Sequence, residues 1–251
     1  MSGHSHWAGI KHKKALVDAK RGKLWSKLSK AIIFDAKQGG GDPDANIRLR
    51  TAIEEAKAVS LPNDNIIRAI KRGTGELDPV ELDQVVYEGY GPGGIAVIAA
   101  GATDNRNRTA PEIRKIFEVC GGKMGASGSV SWNFDEKGIF TIPESQIDED
   151  RLMELAIDAG ADDVAKDGES FEVTCAPELF EKVGRALESA GLHPEHSEVN
   201  MIPRDYVDIT DLGLARTAFR LMETLDEHED IQRVSTNFNI SEEIMAQLEE
   251  E

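Results

Sequence analysis

The sequence predicts an α+β protein: an N-terminal helical domain followed by two α/β domains, one ferredoxin-like (βαββαβ) and inserted into the other. Three observations predict it. Residues 1–75 carry apolar residues at helical spacing, interrupted by Gly and Pro, with no strand signal. Beyond them, short apolar runs alternate with turn residues and helical segments. From "KGIFTIPE" onward the signals fall in the order β-α-β-β-α-β, with one helix and one strand left over at the end. The leftover pair completes the preceding ββαβ. The expected division is 1–75 (basic helical), 76–134 plus 206–240 (discontinuous middle domain) and 135–205 (ferredoxin-like).

Residues 12–37 read as the first helix. At ~100° per residue, Lys13, Lys20, Lys23, Lys27, Lys30 and Lys37 share an arc about 120° wide. Val17, Leu24, Trp25, Leu28, Ala31 and Ile32 fill the neighbouring arc, and Arg21 intrudes on it. "QGGGDPD" ends the helix, because three glycines and a proline cannot continue it. A second helix follows through Ile47, Leu49, Ile53 and Ala56, and "LPNDNIIRAIKRGTGE" gives a turn, a short helix and a glycine stop.

The middle domain opens with two apolar strands around "GPGG", a hairpin signal. "NRTAPEIRKIFEVCGG" is a helix ended by glycines, with Thr109 as a candidate cap ahead of Pro111. "GSVSWNF" and "KGIFTIPE" are expected as two strands joined by "DEKG". Helical "DEDRLMELAIDAGA", strands "DDVAKDG" and "SFEVTCAP", helical "ELFEKVGRALESAG" and extended "SEVNMIP" complete the inserted unit. "DLGLARTAFRLMETLDEHEDIQRVSTNF" then returns to the middle domain as helix and strand.

The 251 residues are 40% hydrophobic and 30% charged, as in globular proteins. The most apolar window, "GGIAVIAAGA", is too short to span a membrane and suits a buried strand. The N-terminus lacks the apolar core of a signal peptide, and Cys120 and Cys175 read as reduced thiols, so a cytoplasmic address is expected. The net charge of −17 hides a segregation: residues 1–75 carry +8, 76–134 carry −3 and 135–251 carry −22. Two surfaces with different partners follow.

The basic end is the strongest functional signal. Lys11, Lys13, Lys14, Lys20, Arg21, Lys23, Lys27 and Lys30 form a run broken by one acid, Asp18. A solvated helix face would interleave acids at i,i+4, whereas a lysine stripe can follow phosphates and release counterions. Arg48, Arg50, Arg68, Lys71 and Arg72 lie nearby. In the arm before them, His4, His6, Trp7 and His12 suit stacking or phosphate contact better than a metal site. "TDNRNRT" (103–109) opens a helix, where Arg106 and Arg108 with backbone N–H groups suit a phosphate, or else pair with carboxylates; both readings stand. The glycines of "GYGPGG" and "GGKMGASGS" match no nucleotide-binding pattern. "HPEHSE" (His193, Glu195, His196, Glu198) fits a turn into an edge strand better than a metal site. No catalytic constellation, metal site or cofactor is expected. The acidic remainder repels nucleic acid from the rest of the surface, or docks a basic protein.

"GHSHWAGIKHKKALVDAKRGKLWSKL", "GGGDPDANIRLRTAIEEAKA", "LPNDNIIRAIKRGTGE", "YEGYGPGGIAVI", "TDNRNRT" and "GSVSWNF" together resemble the YebC family over essentially the whole chain. The resemblance implies three domains around a cleft, no settled enzymatic activity, and a nucleic-acid surface on the basic helix around "KHKK" and "AKRGK". It implies a DNA-binding transcriptional regulator. Mitochondrial relatives resemble translational activators and bacterial ones are linked to stalled ribosomes, so the alternative is a translation factor on ribosomal RNA or tRNA. His6 and Asn63 stand where the family pattern leads one to expect lysine, departures that bear on two phosphate contacts and leave the pattern intact.

Overall fold

The computed structural model describes residues 21–78 and 81–241, with 244, 247 and 248. The helical end contains α1 (Arg21–Gly39), α2 (Ile47–Ala58) and α3 (Asn63–Gly73). Asn46 sets the corner between the first two. Its side-chain oxygen accepts from the Leu49 N–H at 3.1 Å, while its amide donates to the carbonyls of Asp35 and Gly40, both at 2.9 Å. One side chain thus caps the start of α2 and satisfies two carbonyls at the end of α1. Leu28, Ile32 and Ile33 pack on Leu49, Ile53 and Ile66. Gly73 lets α3 approach α1 closely, since a Cβ there would stand 2.5 Å from the Ile33 carbonyl oxygen.

The chain continues through β1 (Asp83–Tyr90), β2 (Ala96–Thr103), α4 (Arg106–Val119), β3 (Lys123–Met124) and β4 (Phe134–Pro143). It proceeds through α5 (Glu149–Ala159), β5 (Ala161–Asp167), β6 (Ser170–Cys175), α6 (Phe180–Ser189) and β7 (His196–Pro203). It closes with β8 (Val207–Ile209), α7 (Leu212–Asp226), β9 (Ile231–Thr236) and β10 (Phe238–Ile240).

Two four-stranded sheets result. The first has the order β3-β1-β2-β9, so the last long strand returns to the β1–β2 hairpin. Gly93 and Gly94, with φ of 73° and 79°, make the tight turn of that hairpin. Helices α4 and α7 cover one face, burying Val97, Ala99 and Val234 against Ile113, Phe117 and Leu221. The second sheet has the order β5-β6-β4-β7, every pair antiparallel. This is the ferredoxin-like arrangement, inserted between β3 and β9 as the element order predicts. Its core gathers Phe140, Leu152, Val173, Phe180 and Leu187, with the Phe140 and Phe180 rings stacked at 4.7 Å. A short parallel pair, β8 with β10, was not expected from the sequence.

The inserted unit leaves and re-enters through a narrow neck. Phe134 is in register with Pro203 at the ends of β4 and β7. Beside them, Asn133 donates its side-chain amide to the Asp205 carbonyl and accepts from the Asp205 N–H, both at 3.0 Å. Asn237 donates to the same carbonyl at 3.1 Å and accepts from the Ala96 N–H at 2.7 Å, tying the neck to β2.

Another element departs from expectation. "GSVSWNF" is not a strand: residues 125–133 form turns and a single 3-10 turn, and "DEKG" lies inside the continuous strand β4. The cause is Glu88, whose buried carboxylate accepts the N–H groups of Gly128 (2.7 Å), Val130 (2.8 Å) and Ser131 (2.9 Å). Burial raises the Glu88 pKa, but these backbone donors outweigh it and hold the carboxyl below its ordinary value. Amides pinned to one carboxylate cannot form a ladder. Gly138 is needed within β4, because a Cβ there would meet the Phe180 ring at 2.7 Å and the Cys175 sulfur at 2.8 Å.

Candidate nucleic-acid interface

Lys11, Lys13, Lys14 and Lys20 lie outside the described residues, as do His4, His6, Trp7, His12 and the terminal acidic run; Arg21 opens α1, and its side chain is not described. The remaining stripe lysines divide into two kinds. Lys23 and Lys37 are exposed. Lys27 and Lys30 turn inward. Lys27 Nζ donates to the Asp226 carbonyl at 2.7 Å and to its carboxylate at 2.9 Å, closing the C-terminus of α7, where a cation is favoured. Lys30 forms an ion pair with Asp230.

Asp230 is the centre of a buried polar cluster. One oxygen takes Lys30; the other accepts from Thr109 Oγ1 at 2.6 Å, Thr103 Oγ1 at 3.0 Å and Arg108 Nη2 at 3.1 Å. Burial pushes its pKa up, but the hydrogen bonds from Lys30, Thr109 and Arg108 pull harder and hold it well below the usual carboxylate range. The carboxylate is therefore ionised at neutral pH, and it ties together α1, the start of α4 and the turn before β9.

This cluster is built from "TDNRNRT". Asn105, not Thr109, caps α4, accepting from the Arg108 N–H at 3.1 Å. That frees Thr109 to face Asp230. A helix N-terminus, two hydroxyls, an arginine and a lysine make a cradle for an anion, and the protein's own carboxylate fills it. Arg108 also meets Asp104 at 2.9 Å and Glu229 at 3.7 Å, while Arg106 meets Asp83 at 3.1 Å and the Gln84 carbonyl at 2.9 Å. Of the two readings of this motif, pairing with carboxylates is the arrangement observed.

Among the other basic residues, Arg50 pairs with Glu188 and Arg48 lies 5.9 Å over the Phe180 ring, so both dock α2 onto the ferredoxin-like unit. The Ile47 N–H, donating to Glu181 at 2.9 Å, reinforces that contact. Arg68, Lys71 and Arg72 are exposed on α3 with no ion-pair partner among the described residues. Their i, i+3, i+4 spacing puts them on one face, a periodicity visible in the sequence that the longer lysine run overshadowed. Exposed Lys115 on α4, beside Arg114, and Arg220 on α7 lie far from Lys23 in sequence, and only the fold brings them near it.

Two carboxyls are strained by burial. Asp35 is pushed up to about 6 by burial, an effect partly offset by Arg233 and Arg48 and reinforced by the like charge of Glu55. Glu172 is pushed up to about 7 by burial and by Asp167, Asp163 and Glu198. No group of three metal-ligating side chains occurs among the described residues, and no helix of theirs is long and apolar enough to cross a membrane.

Comparison with known proteins adds to this geometry. Residues 5–76 match the family model described as the TACO1/YebC protein N-terminal domain, and residues 82–238 match the TACO1/YebC second and third domain. The chain is 54% identical over 248 residues to a protein of Rhodopirellula baltica named "Probable transcriptional regulatory protein", covering 98% of this chain and 100% of that one. It is 51% identical over 248 residues to a protein of the same description in Geotalea uraniireducens, covering 99% and 100%. A crystal structure of a conserved hypothetical protein from Aquifex aeolicus superposes with a TM-score of 0.81 at 46% identity, covering 96% of this chain and 99% of that one.

Proposed function

The chain belongs to the TACO1/YebC family, and from that premise we propose that it is a nucleic-acid-binding regulator of gene expression: a cytoplasmic, DNA-binding transcriptional regulator that grips the phosphate backbone with its basic helical end. The observation that carries the reading is the polarity of the molecule, +8 over residues 1–75 against −22 over residues 135–251. The names of relatives that match over their whole length support the regulatory role.

The gripping residues are Lys11, Lys13, Lys14, Lys20, Arg21 and Lys23, extended by Arg68, Lys71 and Arg72. Lys27, Lys30, Arg106 and Arg108 serve the same surface indirectly in this reading, by fixing α1 and α4 in place. The acidic faces repel phosphate and confine it to the basic end. With contacts mainly to backbone phosphates, sequence preference is modest. The reading assigns no catalytic residue and no cofactor.

The test is fluorescence anisotropy of the full chain with promoter duplex DNA and with ribosomal RNA over a range of salt. Each phosphate contact contributes about 0.9 to the logarithmic salt slope on a duplex. Changing Lys11, Lys13, Lys14, Lys20 and Lys23 together to Glu should abolish duplex binding. Unchanged affinity refutes the surface, and in-cell cross-links to ribosomal RNA instead of promoters refute the transcriptional target. Lys27 and Lys30 are left intact, because reversing them would place a glutamate against Asp226 or buried Asp230.

A further inference from the structure

Between α1, α4 and α7 runs a groove of about 450 Å3, within the size range of small-ligand sites. Lys23, Lys115 and Arg220 line it, one from each helix. So do Ile116 and Val119, and Val119 is 63% exposed, unusual for a β-branched apolar residue ending a helix.

The groove's acids are already engaged. Glu112 accepts from His228 Nε2 at 3.0 Å. His228 Nδ1 accepts from the Asp230 N–H at 3.2 Å, which fixes the proton on Nε2. Glu229 faces Arg108 at 3.7 Å. The three cations, by contrast, have no ion-pair partner among the described residues. Three cations outnumber Glu112, whose partner His228 is neutral in this arrangement, and Glu229, which Arg108 faces; that positive excess in a chain of net charge −17 calls for an anion. The apolar strip beside them calls for a flat apolar group on the same ligand. Lys23 also belongs to the helix that continues the basic segment.

We propose that this groove holds one unpaired nucleotide of the bound nucleic acid, its phosphate against Lys23, Lys115 and Arg220 and its base against Ile116 and Val119. The proposal rests on the nucleic-acid reading above and adds to it a preference for an unpaired base. A base inside a duplex is stacked on its neighbours and cannot lie on Val119, whereas a single-stranded base has a free face.

The experiment compares, for the full chain, a blunt DNA duplex, the same duplex with a single-stranded overhang, and that duplex with an abasic overhang. The overhang should tighten binding about fivefold or more, as one stacked base does, and the abasic overhang should lose that gain. Val119→Asp and Val119→Ser, at an exposed position, should remove the gain and leave blunt-duplex affinity unchanged. Lys115→Gln with Arg220→Gln should lower the salt slope for the overhang probe by about 1. Equal binding of blunt and overhang probes, or a gain that survives Val119→Asp, overturns the groove while the nucleic-acid reading stands. Adenosine monophosphate abolishing the gain at the overhang's own dissociation constant makes a free nucleotide the occupant, which also overturns it. Failure to bind any probe refutes the parent reading, and this one with it.

Discussion

Replacing Asp230 with Asn tests whether one carboxylate holds the helical end to the middle sheet. The substitution keeps shape and removes charge. Asp230 is fully buried, and the Lys30 side chain that it neutralises is only 13% exposed, so Lys30 would be left as a nearly buried cation without its counter-ion. Arg108 loses less, being 38% exposed and retaining Asp104 and Glu229. Removing one partner of a buried pair costs ~3–5 kcal/mol. At about 2–4 °C per kcal/mol for a chain of this size, the melting temperature should fall by roughly 6–20 °C at pH 7. Because the folded pKa is depressed, the stabilisation is complete above the unfolded pKa of ~3.9 and drains as pH falls below it. Thermal melts by circular dichroism from pH 7 down to pH 3 should therefore show the gap between wild type and variant narrowing below about pH 4. A gap below ~1 kcal/mol at pH 7, a value typical of exposed pairs, would refute the reasoning.

Four further outcomes are expected. Asp35→Asn should stabilise the protein by about 2–3 kcal/mol at pH 8, because the folded pKa of about 6 makes ionised Asp35 unfavourable; the gain should fade as pH drops through 6 toward 4 in urea titrations. Glu172 should titrate near pH 7 in carboxyl-carbon NMR, and Glu172→Gln should remove that transition. Glu88→Ala strands three amides, at about 1–3 kcal/mol for each one left unsatisfied, and should expose residues 125–131 to limited proteolysis while the rest of the chain resists. Gly101→Ala would put a Cβ 1.9 Å from the Asp230 carbonyl oxygen, at the irregular pairing of β2 with β9; a loss of about 3 kcal/mol or more in chemical denaturation is expected.

Local chemistry was legible wherever a short stretch decided the outcome. The "GPGG" turn needs positive φ and contains the residues that adopt it. The alternation in "SFEVTC" puts Phe171, Val173 and Cys175 on the buried face of β6, as a one-sided strand requires. The misreading of "GSVSWNF" has the same origin. Val130, Trp132 and Phe134 alternate like a strand, and nothing near them announces Glu88, some forty residues earlier, as the acceptor of their backbone. The lysine stripe shows the same limit. Helical periodicity placed Lys27 and Lys30 on one face with Lys23, but their partners Asp226 and Asp230 lie about 200 residues away. The stripe lacks acids of its own because distant turns supply them. The groove beside it, assembled from Lys23, Lys115 and Arg220, has no linear signature at all.

The neck at Asn133 and Asp205 has a mechanical consequence. Both covalent connections of the ferredoxin-like unit pass through adjacent positions, joined by two hydrogen bonds of 3.0 Å. Tension applied at the chain ends thus strips the helical end and β10 first and then peels β9 from β2, and it loads the inserted unit through its covalent connections only after the host has ruptured. Stretched between optical traps, the molecule should lengthen in an ordered sequence, the guest last. On refolding, the guest can close its own sheet from residues 134–203 before the host regains β9. An asparagine and a backbone amide thereby make the insertion a shielded passenger, insulated from strain on the strands that carry it.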